Sequence, residues 1–354
     1  MTVFIPLGIL GSLFMILFSK IISSLQGNPE AYLSYIALSP SVALVSAISC
    51  IRGYFQGKCN MIPTALSQVI EQAVKLTFGL CLCYFINGSP AVKGGLACLA
   101  VTLSELVATF YLLICYKSGK SHTQNTLILS FKRLIATLLP IVITSLTLPI
   151  SRVFDSFTIV NLLKTFTSDA SSLYGIYTGS VESVAGVPIA ICYGVATASL
   201  PKISKAKAEG NFKEVKALIK KAISLTLFLS TLAGLVLFFF SYQVTDLLFK
   251  SFPQDKKIIT AKLLSLSFFT VVGLSLVQTL NACLIAYGKP LTPCAFLSIG
   301  VAIKILLQLV LLKNPEINVF GALYSDIVCY FVAVFLDLLY IIYTIYRTRG
   351  KIKV

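Results

Sequence analysis

The stretch RGYFQGKCNMIPTALSQVIEQ, residues 52–72, is polar and carries glycine and proline between two long apolar runs. Its first half is a basic turn that joins two membrane-length segments. Its second half begins a helix whose polar side chains are directed toward the bilayer interior: Ser67, Gln68, Glu71, Gln72 and Lys75. Polar groups are costly at that depth, so this helix is predicted to face protein or a water-filled cavity.

The composition of the whole chain is that of a membrane protein. Of its 354 residues, 57% are hydrophobic and only 12% are charged, whereas a soluble domain carries about 25% charged residues. The net charge of +16 does not indicate a nucleic-acid partner, because the basic residues lie in short loops rather than on one soluble face. The sequence therefore predicts an all-α, polytopic membrane protein.

Ten segments have roughly the 20 apolar residues that a helix needs to cross a bilayer. They are residues 2–22, 32–51, 62–86, 92–116, 133–164, 171–200, 221–248, 259–286, 291–312 and 318–346. Lys and Arg are concentrated in one alternate set of loops, near residues 52–58, 117–133, 202–221, 289 and 347–353. Cytoplasmic loops are enriched in Lys and Arg, so this set of loops and both termini are predicted to be cytoplasmic.

Cysteine and histidine usage gives no sign of metal or catalytic chemistry. Most of the ten cysteines lie in apolar runs, and the sequence contains no C-x-x-C motif, so neither a zinc site nor a disulfide framework is predicted. The one histidine, His122, lies in a polar linker and is expected to be solvated. Without a histidine base in a span or a nucleophile–base cluster, we expect neither an enzyme nor a cofactor.

The dipeptide Gly-Lys marks an internal repeat. It occurs at 57–58, 119–120, 288–289 and 350–351, so that copies one and three, and copies two and four, are 231 residues apart. Glycine can end a helix, and lysine complements the helix dipole there. Four copies at one offset indicate duplicated halves, which is how many transporters are built, with the substrate path between the halves.

The repeat divides the chain into three regions. We predict an N-terminal bundle of four spans at 1–120, a cytoplasmic linker at 121–132 and a C-terminal bundle of six spans at 133–354. Counting back by the offset, two helices of the first bundle are expected to be absent from the front of the chain.

Charged side chains inside the spans are the candidate site residues. In the third span, Glu71 and Lys75 are four residues apart and can pair on one helix face, either lining a cavity or joining two helices. In the fifth span, polar residues recur every third position: Arg152, Asp155, Thr158, Asn161 and Lys164. We expect Arg152 and Asp155 to neutralise each other, with Arg152 either facing a ligand or forming a structural ion pair.

The sixth span carries Glu182 near its middle, where a lone carboxylate costs about 3 kcal/mol. We expect it to be protonated, to pair with Arg152 or to take part in ion coupling. Gly175 and Gly179, just before it, suit close helix packing. The basic segment 202–221 is typical of an amphipathic helix on an anionic leaflet, although control of topology alone explains its charge.

Three strings carry a resemblance to a known family: RGYFQGKCNMIPTALSQVIEQ, then DSFTIVNLL from Asp155, then YGIYTGSVESVAGVPIAICYGVATASLPKIS from Tyr174. Together they resemble the polysaccharide-biosynthesis exporters of the multidrug/oligosaccharidyl-lipid/polysaccharide flippase superfamily, in particular the branch of stage V sporulation protein B and the lipid II flippases. This resemblance implies a MATE-like fold of two bundles around a central cavity. It also implies alternating-access transport of an undecaprenyl-linked saccharide across the bacterial plasma membrane.

The functional hypothesis is a flippase for a lipid-linked oligosaccharide or peptidoglycan precursor. A cation-coupled multidrug exporter of the same superfamily and a non-transporting scaffold remain alternatives. Expected partners are the lipid-linked substrate, anionic lipids and a coupling ion, H+ or Na+. The predicted cavity residues are Ser67, Gln68, Glu71, Lys75, Arg152, Asp155, Asn161 and Glu182.

Overall fold

The computed structural model describes residues 3–58, 60–118 and 131–351, and every regular element in these ranges is a helix. His122 and residues 121–130 of the predicted linker lie outside the described residues. Contacts divide the chain into two units, Met1–Ile128 and Leu129–Val354.

The first unit contains four long helices: α1 (Phe4–Leu25), α2 (Tyr32–Gly57), α3 (Ile62–Phe85) and α4 (Pro90–Ser118). α2 packs against α1 and α4, and α3 packs against α4. Ile48, Ile51 and Phe55 of α2 form the core with Ala108 and Leu112 of α4. Helix α4 therefore has α2 and α3 on its sides.

In its described residues, the second unit contains eight α-helices and one π-helical segment. They are α5 (Phe131–Leu163), α6 (Ala170–Gly175), the π-helical segment Ile176–Glu182, α7 (Ser183–Ala208), α8 (Phe212–Phe239), α9 (Ser241–Leu248), α10 (Gln254–Ala286), α11 (Leu291–Leu311) and α12 (Phe320–Lys351). α10 is the central helix, because it packs against α7, α8 and α12 and 72% of its most apolar stretch is buried.

The packing order of the first unit recurs in the second. α10 packs against α8 and α12, and α11 packs against α12, just as α2 packs against α1 and α4 while α3 packs against α4. α5 and α7 are additional helices of the second unit, and they pack against α11 and α10 respectively. This correspondence supports the repeat that the Gly-Lys offset predicts.

Nine helices in the described ranges are long and apolar enough to cross a membrane. They confirm a polytopic all-helical protein, and they account for nine of the ten predicted spans. The exception is α3, whose length is sufficient but whose polar residues, from Ser67 to Lys75, lower its hydropathy.

The basic segment 202–221 is not a separate amphipathic helix. α7 continues to Ala208, and α8 begins at Phe212 after the cap residue Asn211, whose side chain accepts a hydrogen bond from the Glu214 backbone. Val215 and Ile219 are buried in the core of the unit, and Leu218 packs against it. A separate amphipathic helix is therefore wrong, because α7 and α10 pack against this part of α8. Control of topology, the other interpretation, stays a prediction.

The prediction of close packing at Gly175 and Gly179 is also wrong. A Cβ atom added at either glycine would meet no atom within 4 Å. The chain instead forms the π-helical segment there, ending at Glu182. Such segments are rare and often occur at functional sites.

Candidate functional site

A buried lysine is the centre of the polar site in the second unit. The Lys304 side chain, on α11, is only 2% exposed. Its Nζ lies 2.6 Å from Asp155 Oδ2 on α5, 2.7 Å from Asp326 Oδ1 on α12 and 3.1 Å from Ser151 Oγ on α5. A buried charge is tolerated when it is paired and hydrogen-bonded, and here one ammonium is shared by two carboxylates.

Two further side chains complete the pairing of these carboxylates. Gln308 Nε2 donates to Asp155 Oδ1 at 2.9 Å, and the Tyr177 hydroxyl donates to Asp326 Oδ2. Ser151 and Asp155 on α5, like Lys304 and Gln308 on α11, are four residues apart. Positions four apart lie on one helix face, so each helix presents two polar groups to the same centre.

Arg152, the residue after Ser151 on α5, forms a second ion pair beside this centre. Its Nη1 donates to Glu182 Oε1 at the end of the π-helical segment, and its Nη2 lies 3.5 Å from the Tyr330 hydroxyl. The pair is more accessible than the lysine centre, with side chains 38% and 25% exposed. Both residues line a small cavity of about 40 Å³, together with Tyr177, Asp326 and Tyr330.

The prediction that Arg152 pairs with Asp155 is therefore wrong. Arg152 pairs with Glu182 instead, which is one of the three states that the sequence predicts for Glu182. Three residues apart on a helix, Arg152 and Asp155 point about 60° from each other, and each meets a different partner. Lys304 and Asp326 were missed from the sequence. The signal was present, since each is an isolated charge within an apolar span, and such a charge is a functional-site candidate.

The first unit has its own, more open ionic cluster. Arg52 on α2 donates from Nε to Ser67 Oγ at 2.9 Å and from Nη2 to Glu71 Oε2 at 3.0 Å. Glu71 Oε1 also lies 3.5 Å from Lys75 Nζ. The predicted Glu71–Lys75 pair is thus present, and Arg52 is the partner that the sequence did not suggest.

The polar residues of α3 divide between two faces. Ser67 and Glu71 point toward Arg52, whereas Gln68 and Gln72 are exposed and line an open groove with Val69. Adjacent positions on a helix differ by about 100°, which is why the two rows separate. The groove has a volume of about 610 Å³.

Asn161 is not brought to either ionic cluster. It is exposed on α5, and its Nδ2 donates to the Phe157 carbonyl oxygen. Glu105 on α4 and Asp337 on α12, near the repeat offset, are both buried. Within the described ranges, no group of three or more His, Cys, Asp or Glu side chains is arranged to hold a metal ion.

Comparisons with known proteins place this architecture in a family. Residues 1–207 match the family of polysaccharide biosynthesis proteins, which is more than half of the chain. The chain belongs to this family. Residues 140–310 also match the MatE family, and both matches confirm the resemblance seen in the three sequence strings.

Two relatives from one bacterium match large parts of the chain. Stage V sporulation protein B of Bacillus subtilis (strain 168) is 27% identical over 300 residues, which cover 81% of this chain and 57% of that protein. Lipid II flippase MurJ of the same organism is 27% identical over 209 residues, covering 54% of this chain and 38% of the flippase. The chain thus spans about half the length of these curated relatives, or less.

Solved structures confirm the fold. An inward-facing multidrug resistance MATE family transporter of the MOP superfamily matches 97% of this chain and 79% of its own, with a TM-score of 0.77 and 15% identity. An outward-facing transporter of that description matches with a TM-score of 0.75 and 16% identity, over 97% of this chain and 76% of its own. The protein is therefore a multi-pass membrane protein with the MATE fold.

Proposed function

We propose that the protein moves a lipid-linked oligosaccharide or peptidoglycan precursor across the bacterial plasma membrane by alternating access. The observation that carries this proposal is the partly exposed guanidinium of Arg152 in a cavity of a membrane-embedded unit. A guanidinium matches the geometry of phosphate and can bind it through two parallel hydrogen bonds. The family match and the flippase relative support the same substrate class.

The cavity is small in this structure. Its volume of about 40 Å³ is well below the range of about 300–1,000 Å³ for ligand sites. A head group therefore requires the cavity to widen during alternating access. The lipid tail would stay in the bilayer, and further sugar contacts would come from exposed amides such as Gln68 and Gln72.

Binding an anion at Arg152 requires a change of partner, because Glu182 already accepts its hydrogen bond. A phosphate must displace the Glu182 carboxylate, and like charges then repel each other across the cavity. Removing the charge of Glu182 should therefore strengthen binding of an anionic head group. The same removal should weaken binding of a cation.

One observation favours the rival function, a cation-coupled multidrug exporter. Two of the three charged residues that line the cavity, Glu182 and Asp326, are acidic. An acidic cavity attracts organic cations, whereas Arg152 repels them. The two substrate classes thus make opposite demands on Arg152 and Glu182.

Reconstitution into liposomes tests both functions with the same variants. A fluorescent lipid-linked saccharide reports flipping, and a cationic dye reports export. We expect the wild type to flip the saccharide, Arg152→Gln to lower its rate at least about tenfold, and Glu182→Gln to retain it. Lys205→Gln, which removes an exposed charge (79% exposed), is the control and should behave like the wild type.

Other results reject the proposal. Dye transport that Glu182→Gln abolishes, with no saccharide flipping, would establish the exporter. If the folded protein moves neither substrate, the non-transporting scaffold is the remaining interpretation.

We further propose that both termini and the basic loops face the cytoplasm, where anionic lipids contact the exposed lysines at the start of α8.

A further inference from the structure

We propose that Asp155 and Asp326 form a monovalent-cation site whose cation is part of the chain. The Lys304 ammonium occupies this site, and a free cation such as Na+ enters only when the ammonium is removed. The inference does not rest on the proposed transport function, because it concerns occupancy of a buried centre within one unit.

The environment of the ammonium consists of oxygen atoms. An ammonium has three donors, and Lys304 Nζ has three oxygen neighbours: Asp155 Oδ2 at 2.6 Å, Asp326 Oδ1 at 2.7 Å and Ser151 Oγ at 3.1 Å. Asp326 Oδ1 lies at ion-pair distance from the ammonium. All three neighbours are oxygen atoms, which are the ligand atoms of hard cations, so a free cation can take the place of the ammonium.

A further oxygen beside the site is unused. Gln308 is fully buried, and its Nε2 donates to Asp155 Oδ1. Its Oε1 is buried and has no hydrogen-bond partner in the described part of the chain. Carboxylate and amide oxygens are the ligands that hard cations take. An unused amide oxygen on the side chain that contacts Asp155 thus offers a ligand that the ammonium does not need.

The charge balance makes a cation necessary at this position. Two carboxylates that are each less than 5% exposed cannot both stay ionised without compensation, because desolvation of an unpaired buried charge is strongly unfavourable. Lys304 supplies the compensation as a tethered group. Since the side chain is almost completely buried on α11, a free cation has no vacant position between the carboxylates.

The decisive variant is Lys304→Met, which keeps an apolar stem and vacates only the position of the ammonium. Wild type and variant are purified in detergent, and thermal unfolding is measured in NaCl and in choline chloride at equal ionic strength. Binding of radioactive Na+ is measured on the same samples. Lys75→Met, in the first unit, is the matched control because it also removes a paired lysine.

We expect no difference between the two salts for the wild type and for Lys75→Met. Lys304→Met should bind Na+ and unfold at least about 2 °C higher in NaCl than in choline chloride, because a ligand that binds only the folded state stabilises it. Adding Asp155→Asn to Lys304→Met should remove the Na+ effect.

Three results would overturn the proposal. One is Na+ binding by the wild type that Asp155→Asn abolishes, which would mean that the centre accepts a free cation beside the lysine. Another is a Lys304→Met protein that unfolds at the same temperature in both salts and binds no Na+. The third is failure of both Lys304→Met and the milder Lys304→Gln to fold in NaCl. Folding in NaCl but not in choline chloride supports the proposal.

Discussion

The two units place their charged residues in different surroundings. In the second unit, the side chains of Lys304, Asp155 and Asp326 are between 2% and 4% exposed. In the first unit, the ion pairs of Glu71 lie nearer the surface, with Glu71 15% and Lys75 33% exposed. Of the helices that form the two clusters, only α3 and α11 correspond in the repeat, and each supplies a lysine. The other charged partners come from α2 in the first unit and from α5 and α12 in the second.

The difference follows from the helices that cover each cluster. α5 packs against α11 in the second unit, and it brings Ser151 and Asp155 onto the face that carries Lys304. No described helix of the first unit covers the charged face of α3 as α5 covers that of α11. A charge that is sealed in by helices depends on every partner, whereas a partly exposed charge can also be compensated by solvent.

The largest expected effect is the loss of Lys304. Removing one partner of a buried ion pair costs about 3–5 kcal/mol, because the remaining charges stay buried without compensation. Lys304→Met in choline chloride should lower the free energy of unfolding by that amount. Lys75→Met should lower it by about 1 kcal/mol or less. Thermal unfolding of both variants in the same detergent checks this, and equal shifts would remove the contrast between the units.

A smaller effect is expected from packing. A Cβ atom at Gly300 on α11 would lie 2.6 Å from the Cys329 carbonyl oxygen of α12, a backbone atom that cannot rotate away. Gly300→Ala should therefore destabilise the second unit by about 1–3 kcal/mol.

Gly79→Ala on α3 is the control for Gly300→Ala. Its added Cβ atom would meet only the Ala100 Cβ at 3.8 Å, which is an ordinary contact. Alanine is favoured over glycine inside a helix by about 0.5–1 kcal/mol, so this variant should be neutral or slightly more stable. A loss of stability in Gly79→Ala similar to that in Gly300→Ala would show that the first unit is as tightly packed as the second.

Local sequence spacing predicted part of this arrangement. Nine predicted spans correspond to the apolar helices, and the Glu71–Lys75 pair follows from positions four apart on one helix. The lysine centre is different, because Lys304 and Asp155 are 149 residues apart in the chain. Spacing cannot show which helices become neighbours, and it cannot show that Arg152 turns to Glu182 while Asp155 turns to Lys304.

Loss of the Glu71 charge should have an intermediate effect. Its carboxylate accepts a hydrogen bond from Arg52 and contacts Lys75, so Glu71→Gln leaves two cations without their partner. We expect a destabilisation of about 1–2 kcal/mol, in line with hydrogen bonds to charged groups. Glu209→Gln removes an exposed pair with Lys205 at 3.8 Å and should be neutral. If Glu71→Gln lowers the free energy of unfolding by more than about 3 kcal/mol, the cluster of the first unit depends on its ion pairs as strongly as the buried cluster does.

The smallest expected effect is a pH dependence at the junction of α9 and α10. The hydrogen bond from Lys257, followed by its positive charge, lowers the pKa of the exposed Asp246 carboxyl. A lowered pKa in the folded state stabilises the protein above the unfolded pKa of about 3.9, and this contribution is lost as the pH falls through the folded pKa. The difference in melting temperature between wild type and Asp246→Asn should be small and constant from pH 6 to 8, and should shrink below about pH 4.

The most direct test of the account is the water accessibility of the Arg152–Glu182 cavity in the membrane. Single cysteines are placed at Glu182 and at Gln308 in a background without the native cysteines, and a membrane-impermeant maleimide is applied to both sides of the bilayer. We expect the cysteine at position 182 to react and the one at position 308, in the lysine centre, to stay unreactive. A cysteine at position 182 that stays unreactive from both sides in every condition would contradict a cavity for hydrophilic head groups.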